Sequence, residues 1–177
     1  TNTNGEDVWQ KIYGATHVYN TSTISGSFVA EALINSQSNA DSWSKTGITV
    51  QNSVSATVGN GHAFIVTTPG NGIAFQYQSL TGELCPGGIC EAGIVSPNAQ
   101  TNGGSFSFPL FLKLTKDGSN QIGGYYSANG SSWTQRGSAI APWGVSTTQY
   151  VSLFITPHNV AATGSSTYSF FYIRSFV

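Results

Sequence analysis

Seven carboxylates, Glu6, Asp7, Glu31, Asp41, Glu83, Glu91 and Asp117, are the whole acid–base supply of this 177-residue chain. A two-carboxylate glycosidase needs a pair of them about 5–10 Å apart across the scissile bond, and nothing in their spacing builds one. Neither a G-x-S-x-G elbow nor an H-E-x-x-H pair is present. His17, His62 and His158 are far apart in sequence, and the first two sit in strand-like runs, so they read as structural side chains. No metal site is expected. Cys85 and Cys90 in CPGGIC have the wrong spacing for a redox or zinc pair and no second cysteine pair to complete one. They are expected to form a local disulfide that pins the loop region 80–105.

The remaining chemistry is recognition. Sugar C–H faces stack on Trp and Tyr rings while amides and hydroxyls bond the ring OH groups. In a two-sheet protein about half the aromatics are needed for packing. Trp143 in the loop APWG and Trp43 at a strand start are the least committed to a core. With Tyr77, Gln76, Gln78, His158 and Asn159 they make up the candidate ligand-binding set. Asn20 (N-T-S) and Asn129 (N-G-S) are glycosylation sequons.

These residues need a scaffold, and the turn chemistry names its class. Phe111 to Arg136 reads as a three-strand meander, with Asp117-Gly118 and Asn129-Gly130 at its turns. Pro69-Gly70-Asn71-Gly72 is a further hairpin signal. In the strand that returns from it, Ile73, Phe75 and Tyr77 share one face while Gln76 and Gln78 share the other. Ser25 to Ile34 alternates two sets that could each be core, which predicts a strand buried on most of both faces. Turn spacing gives about ten to twelve strands and no useful amphipathic helix, hence a sandwich.

Composition agrees. Charged residues are 7%, aromatics 12%, and glycines number 21, the profile of an all-β domain outside the cytosol. The formal net charge of −1 offers no electrostatic footprint for nucleic acid or an anionic membrane. No apolar run is long enough for membrane insertion. The length suits a single domain, 1–177, with a short polar segment 1–7. Thr1 reads as a mature end left by signal removal or as a trimmed one.

Four strings in order, SWSKTGITVQ, HAFIVTTPGNGIAFQYQS, KLTKDGSNQIGGYYSANGSSWTQRGSAI and YVSLFITPHN, resemble the concanavalin-A-like jelly-roll family of accessory domains in secreted glycoside hydrolases and surface proteins. The resemblance covers about Asp7 to Phe176. It implies two antiparallel sheets, frequent glycan binding and no common catalytic centre. The E-x-D-x-x-E string of laminarinase-type relatives is absent. The closing strand reads Phe171-Tyr172-Ile173 where the family carries a D-N-V step that some jelly rolls use for calcium, so the expectation is no cofactor, with calcium open only through that resemblance.

The expected function is therefore a secreted, non-catalytic, lectin-like module with a polysaccharide or glycan as partner, extracellular or at the cell surface. The alternative is a self-associating structural subunit of a surface layer or filament, and an unrecognised glycoside hydrolase stands third. Tyr125, Tyr126 and Trp133 are assigned to packing and turn roles.

Overall fold

The structure, a computed structural model, describes residues 2–3, 8–9, 12–13, 16–19, 23–51, 62–78, 100–139 and 148–176, with the backbone alone at residues 2–19, 78, 100, 101 and 139. Cys85, Cys90, Asn20, Trp143, most of the loop region 80–105 and most of the segment 1–7 lie outside the described residues.

The strands in chain order are β1 (Asn2–Thr3), β2 (Val8–Trp9), β3 (Ile12–Tyr13), β4 (Thr16–Tyr19), β5 (Ile24–Ser25), β6 (Ser27–Gln37), β7 (Lys45–Gln51), β8 (His62–Thr68), β9 (Gly72–Gln78), β10 (Gln100–Gly103), β11 (Leu110–Lys116), β12 (Ile122–Ser127), β13 (Thr134–Ala139), β14 (Thr148–Thr156) and β15 (Gly164–Phe176). One sheet has the order β1-β15-β6-β11-β12-β13 and the other β10-β9-β8-β7-β14-β4, with β5 also on β14 and β2-β3 as a separate hairpin. Every described pairing is antiparallel. The described residues contain no helix. The short strands β2 and β3 pair with each other, as the aromatic run Val8 to Tyr19 broken by Gly14 suggests, and the strand number exceeds the turn-spacing expectation because strands as short as Asn2–Thr3 and Ile24–Ser25 form.

The meander forms as β11, β12 and β13. Its first turn is built by Asp117, whose Oδ1 accepts the backbone N–H groups of Ser119 at 2.8 Å and Gln121 at 2.9 Å. The left-handed residue there is Asn120, at φ 61°, rather than Gly118. In the second turn Asn129 Oδ1 accepts the N–H groups of Ser131 and Ser132, while Gly130 takes φ 71°. The sequon at Asn129 is therefore exposed, with its side-chain oxygen engaged in the turn.

The core lies between the sheets. Phe28, Ala30, Ala32 and Ile34 of β6 and Leu110, Leu112 and Leu114 of β11 face Ile48, Val50, Ala63, Ile65, Ile73, Phe75 and Tyr77 of the other sheet. Each large apolar side chain so buried is worth about 1.5–3 kcal/mol. The alternation on β6 resolves to one core face, since Val29, Glu31 and Leu33 are only half-buried. Burial on both faces occurs instead on β7 and β8. There a second, smaller cluster of Phe64, Val66, Ala74 and Phe154 occupies the face turned away from the first sheet, with His62 stacked on Phe64 at 5.4 Å.

Lys116 ends the inward row of β11 and is buried. Its Nζ donates to Gln149 Oε1 across the sandwich at 2.9 Å. Burial lowers its pKa from the ordinary lysine value of 10.5. The unfolded chain then holds this proton more tightly than the folded one, so the native state carries a penalty at neutral pH that is relieved as pH rises toward the unfolded value. Urea unfolding of the parent is expected to show a Lys116 contribution to stability that climbs with rising pH over the alkaline range below the ordinary lysine value of 10.5. Lys116→Gln, which keeps a donor for Gln149 without the charge, should flatten that climb. A parent whose stability is level over this range would contradict the assignment.

Candidate functional site at one end of the sandwich

Antiparallel register gathers five connections at one end: 38–44 between β6 and β7, 69–71 between β8 and β9, 104–109 before β11, 128–133 between β12 and β13, and 157–163 between β14 and β15. The first, second and fifth are tied together by polar contacts. Asp41 is at the centre. Its Oδ1 accepts the Trp43 N–H at 2.8 Å and lies 3.2 Å from His158 Nδ1. Ser44 Oγ accepts the Asp41 N–H at 2.9 Å and donates to the Pro157 carbonyl at 2.7 Å, locking the β6–β7 loop onto the β14–β15 loop. Gln37 Nε2 donates to the Ser44 carbonyl and its Oε1 accepts from Thr67.

The same loop holds the β8–β9 hairpin. The Ser42 carbonyl accepts the Gly70 N–H at 2.9 Å and the Asn71 side-chain amide at 3.0 Å. Asn102 Nδ2 reaches the Asn71 carbonyl at 3.5 Å. Gly72, at φ 77°, permits the close approach of 103–104, since a Cβ there would lie 2.3 Å from the Gly104 carbonyl oxygen. Between these segments opens a cleft of about 590 Å³ lined by Asn71, Asn102, Ser105 and Phe106 among others. It offers amides, a hydroxyl and one aromatic ring, with Trp43 one residue from the Ser42 carbonyl that anchors Asn71. Such a set bonds neutral polyols.

Of the candidates named from sequence, Trp43, His158 and Asn159 are brought to this end. His158 adopts φ 55°, and Asn159 Oδ1 caps the following turn through the Ala161 N–H at 2.9 Å. Tyr77 and Gln76 are buried in the sheet instead. Tyr77 belongs to the main core, and Gln76 Oε1 has no hydrogen-bond partner among the described residues. Gln78 pairs His62 through its backbone, and its side chain is outside the described set, as is Trp143. Asp41, Asn71, Asn102, Ser105 and Phe106 were not singled out from sequence. Their only signal was placement in loops, which many residues share.

Tyr126 packs against the core as expected. Tyr125 and Trp133 are half-buried on the outer face of the six-stranded sheet, around the Lys113 ammonium, which lies 3.7 Å from the Trp133 ring centre and 5.3 Å from that of Tyr125. Burial lowers the Lys113 pKa, and nearby Glu31 opposes the shift. Of the described carboxylates, Asp41 sits at the loop-bearing end, Asp117 at the opposite end of β11, and Glu31 in mid-sheet. No cluster of three His, Cys, Asp or Glu occurs among the described residues. The Phe171-Tyr172-Ile173 step provides no side-chain carboxylate for calcium.

Two antiparallel sheets packed face to face define the class: an all-β sandwich protein. No protein-family model matches the chain, and no curated protein matches it. Solved structures do. A functionally unknown protein from Saccharomyces cerevisiae superposes with a TM-score of 0.64 at 13% identity, covering 99% of this chain and 85% of that one. The GH43 protein BlXynB from Bacillus licheniformis gives 0.56 at 16% identity over 85% of this chain, and a point variant of it gives 0.57 at 14% over 92%. This chain spans 28% and 33% of those two chains. At such identities the likeness is one of fold.

Proposed function

We infer that this domain is a secreted, non-catalytic carbohydrate-binding module of the concanavalin-A-like jelly-roll type, with the loop-bearing end as its glycan site. The observation that carries the reading is an open polar cleft lined by Asn71, Asn102, Ser105 and Phe106, whose Asn71 is anchored by the Ser42 carbonyl in the loop that also holds Trp43 and, through Asp41, His158. The fold likeness to GH43 glycoside hydrolase proteins supports a carbohydrate context. The cleft lining, amides, a hydroxyl and a ring without a charged side chain, favours neutral sugars, and Asp41, the carboxylate at this end among the described residues, is engaged by Trp43 and His158.

A glycan array followed by polysaccharide pull-down tests this. Trp43→Ala and Asn71→Ala should each weaken binding about tenfold or more, on the scale of one lost hot-spot contact, with Trp43→Ala leaving the melting temperature near that of the parent. Absence of any glycan ligand, or binding indifferent to both substitutions, would remove the basis for the proposal. Release of reducing sugar from a bound glycan would favour the hydrolase reading instead.

A further inference from the structure

The six-stranded sheet is closed unequally at its two edges. β13, at one edge, reads TQRGSA and carries no aromatic residue. At the other, the described residues of β1 pair with Gly164 and Ser165 of β15. From Thr167 to Phe176, no strand among the described residues pairs with β15 on the side away from β6. After bulges near Tyr168, the register against β6 is unbroken from Phe170↔Leu33 to Phe176↔Ser27. Among the described residues this leaves a regular row of backbone donors and acceptors from Phe170 to Phe176 without a neighbouring strand, the feature that natural sheets usually blunt with Lys, Pro or a covering segment.

The side chains along this edge are also incompletely covered. Outward, Phe170, Tyr172 and Phe176 are 37%, 42% and 48% exposed, three of the four exposed large hydrophobics among the described residues. Inward, Phe171 and Ile173 pack on the core yet remain half-buried, whereas Ala30 and Ala32 beside them on β6 are fully buried. The core is open at this edge.

We propose that β15 pairs antiparallel with β15 of a second copy about a two-fold axis at Ile173, joining two six-stranded sheets into one. In that register outward residues meet outward residues. Phe170 lies opposite the second copy's Phe176, and Tyr172 opposite its Arg174, giving aromatic and cation–π pairs on both sides of the axis. Inward, Ile173 meets its counterpart and Phe171 meets Ser175. No like charges face each other, and the described residues of β1, opposite Gly164 and Ser165, lie beyond the paired stretch. Tyr172 is held for this by its hydroxyl, which donates to Glu31 at 2.5 Å. The surface is distinct from the glycan site and does not depend on it.

Sedimentation velocity over a wide concentration range reads the outcome. The parent should be a reversible dimer. Tyr172→Arg, an exposed position, puts arginines opposite each other twice across the axis and should weaken association about tenfold or more. Adding Arg174→Glu to that variant should restore it. Ile173→Cys should yield a covalent dimer on mild oxidation, since directly opposite residues approach closely enough for a disulfide, whereas Ser175→Cys should not. A parent that stays monomeric, a dimer indifferent to Tyr172→Arg, or no rescue by the double variant would overturn the proposal.

Discussion

Phe75→Ala is expected to cost about 3–5 kcal/mol, the range for a large aromatic removed from a core that cannot close over the gap. The reason lies in what Phe75 touches. Its ring, fully buried on β9, projects from the seven-stranded sheet onto Gly124 and Gly137, which sit opposite each other on β12 and β13. A Cβ built on either glycine would fall 2.4 Å or 2.7 Å from the ring. The two glycines thus form a notch filled by one side chain. With the ring gone, neither glycine has atoms to move into the space, so the cavity persists. In a domain of this size the melting temperature should fall by about 10 °C. A double-mutant cycle sharpens the test. Gly124→Ala should be strongly destabilising in the parent through overpacking and markedly less so with Phe75→Ala, because the added methyl then enters vacated space. Additive effects in that cycle would show that ring and glycines are not coupled.

Asp41→Ala is expected to act on stability and binding together. The substitution removes the acceptor of the Trp43 N–H and the carboxylate beside His158, and so unfastens two loops at once. A hydrogen bond to a charged acceptor is worth about 1.5–3 kcal/mol. The His158 and Asp41 side chains are 36% and 34% exposed, so solvent screening places the loss near the lower end, about 1.5 kcal/mol. The effect on glycan affinity should be larger, because Trp43 and the Ser42 carbonyl that anchors Asn71 both depend on the conformation of this loop. Asp41→Asn, which retains an oxygen for the Trp43 N–H, should keep most of the stability and part of the binding. Isothermal titration with whichever glycan the array identifies, alongside urea unfolding, separates the two effects. If Asp41→Ala binds as the parent does, the loop is not a positioning element.

The parts legible from sequence share a physical basis: each is written in residues close together along the chain. The meander from Leu110 to Ala139 follows from Asp117 and Asn129, whose side chains satisfy the backbone of their own turns. The Gly72 hairpin and the assignment of Ile73, Phe75 and Tyr77 to one face follow from a required left-handed glycine and the period of two. Such signals need no knowledge of what lies across the sheet. The candidate site was legible only in pieces. Trp43 and His158 could be named, but Asp41, which joins them, could not be separated from the other carboxylates.

Period two states which residues share a face and says nothing of what covers it. For that reason Gln76 and Tyr77, plausible ligands by type, proved to be buried. Equally, β6 looked buried on both faces, and the structure gave that property to β7 and β8. Lys116 and Gln149 meet only because the two sheets face each other. The edge of β15 from Phe170 to Phe176, which no described strand pairs on its outer side, likewise depends on strand order. The chain by itself determined an all-β sandwich and its principal hairpins, and it named Trp43 and His158 among the residues of the loop-bearing end. Only the tertiary structure decided which loops meet, which aromatics stay exposed and where the sheet is left unfinished, because those follow from strand order and register, and contacts of that range leave no local trace.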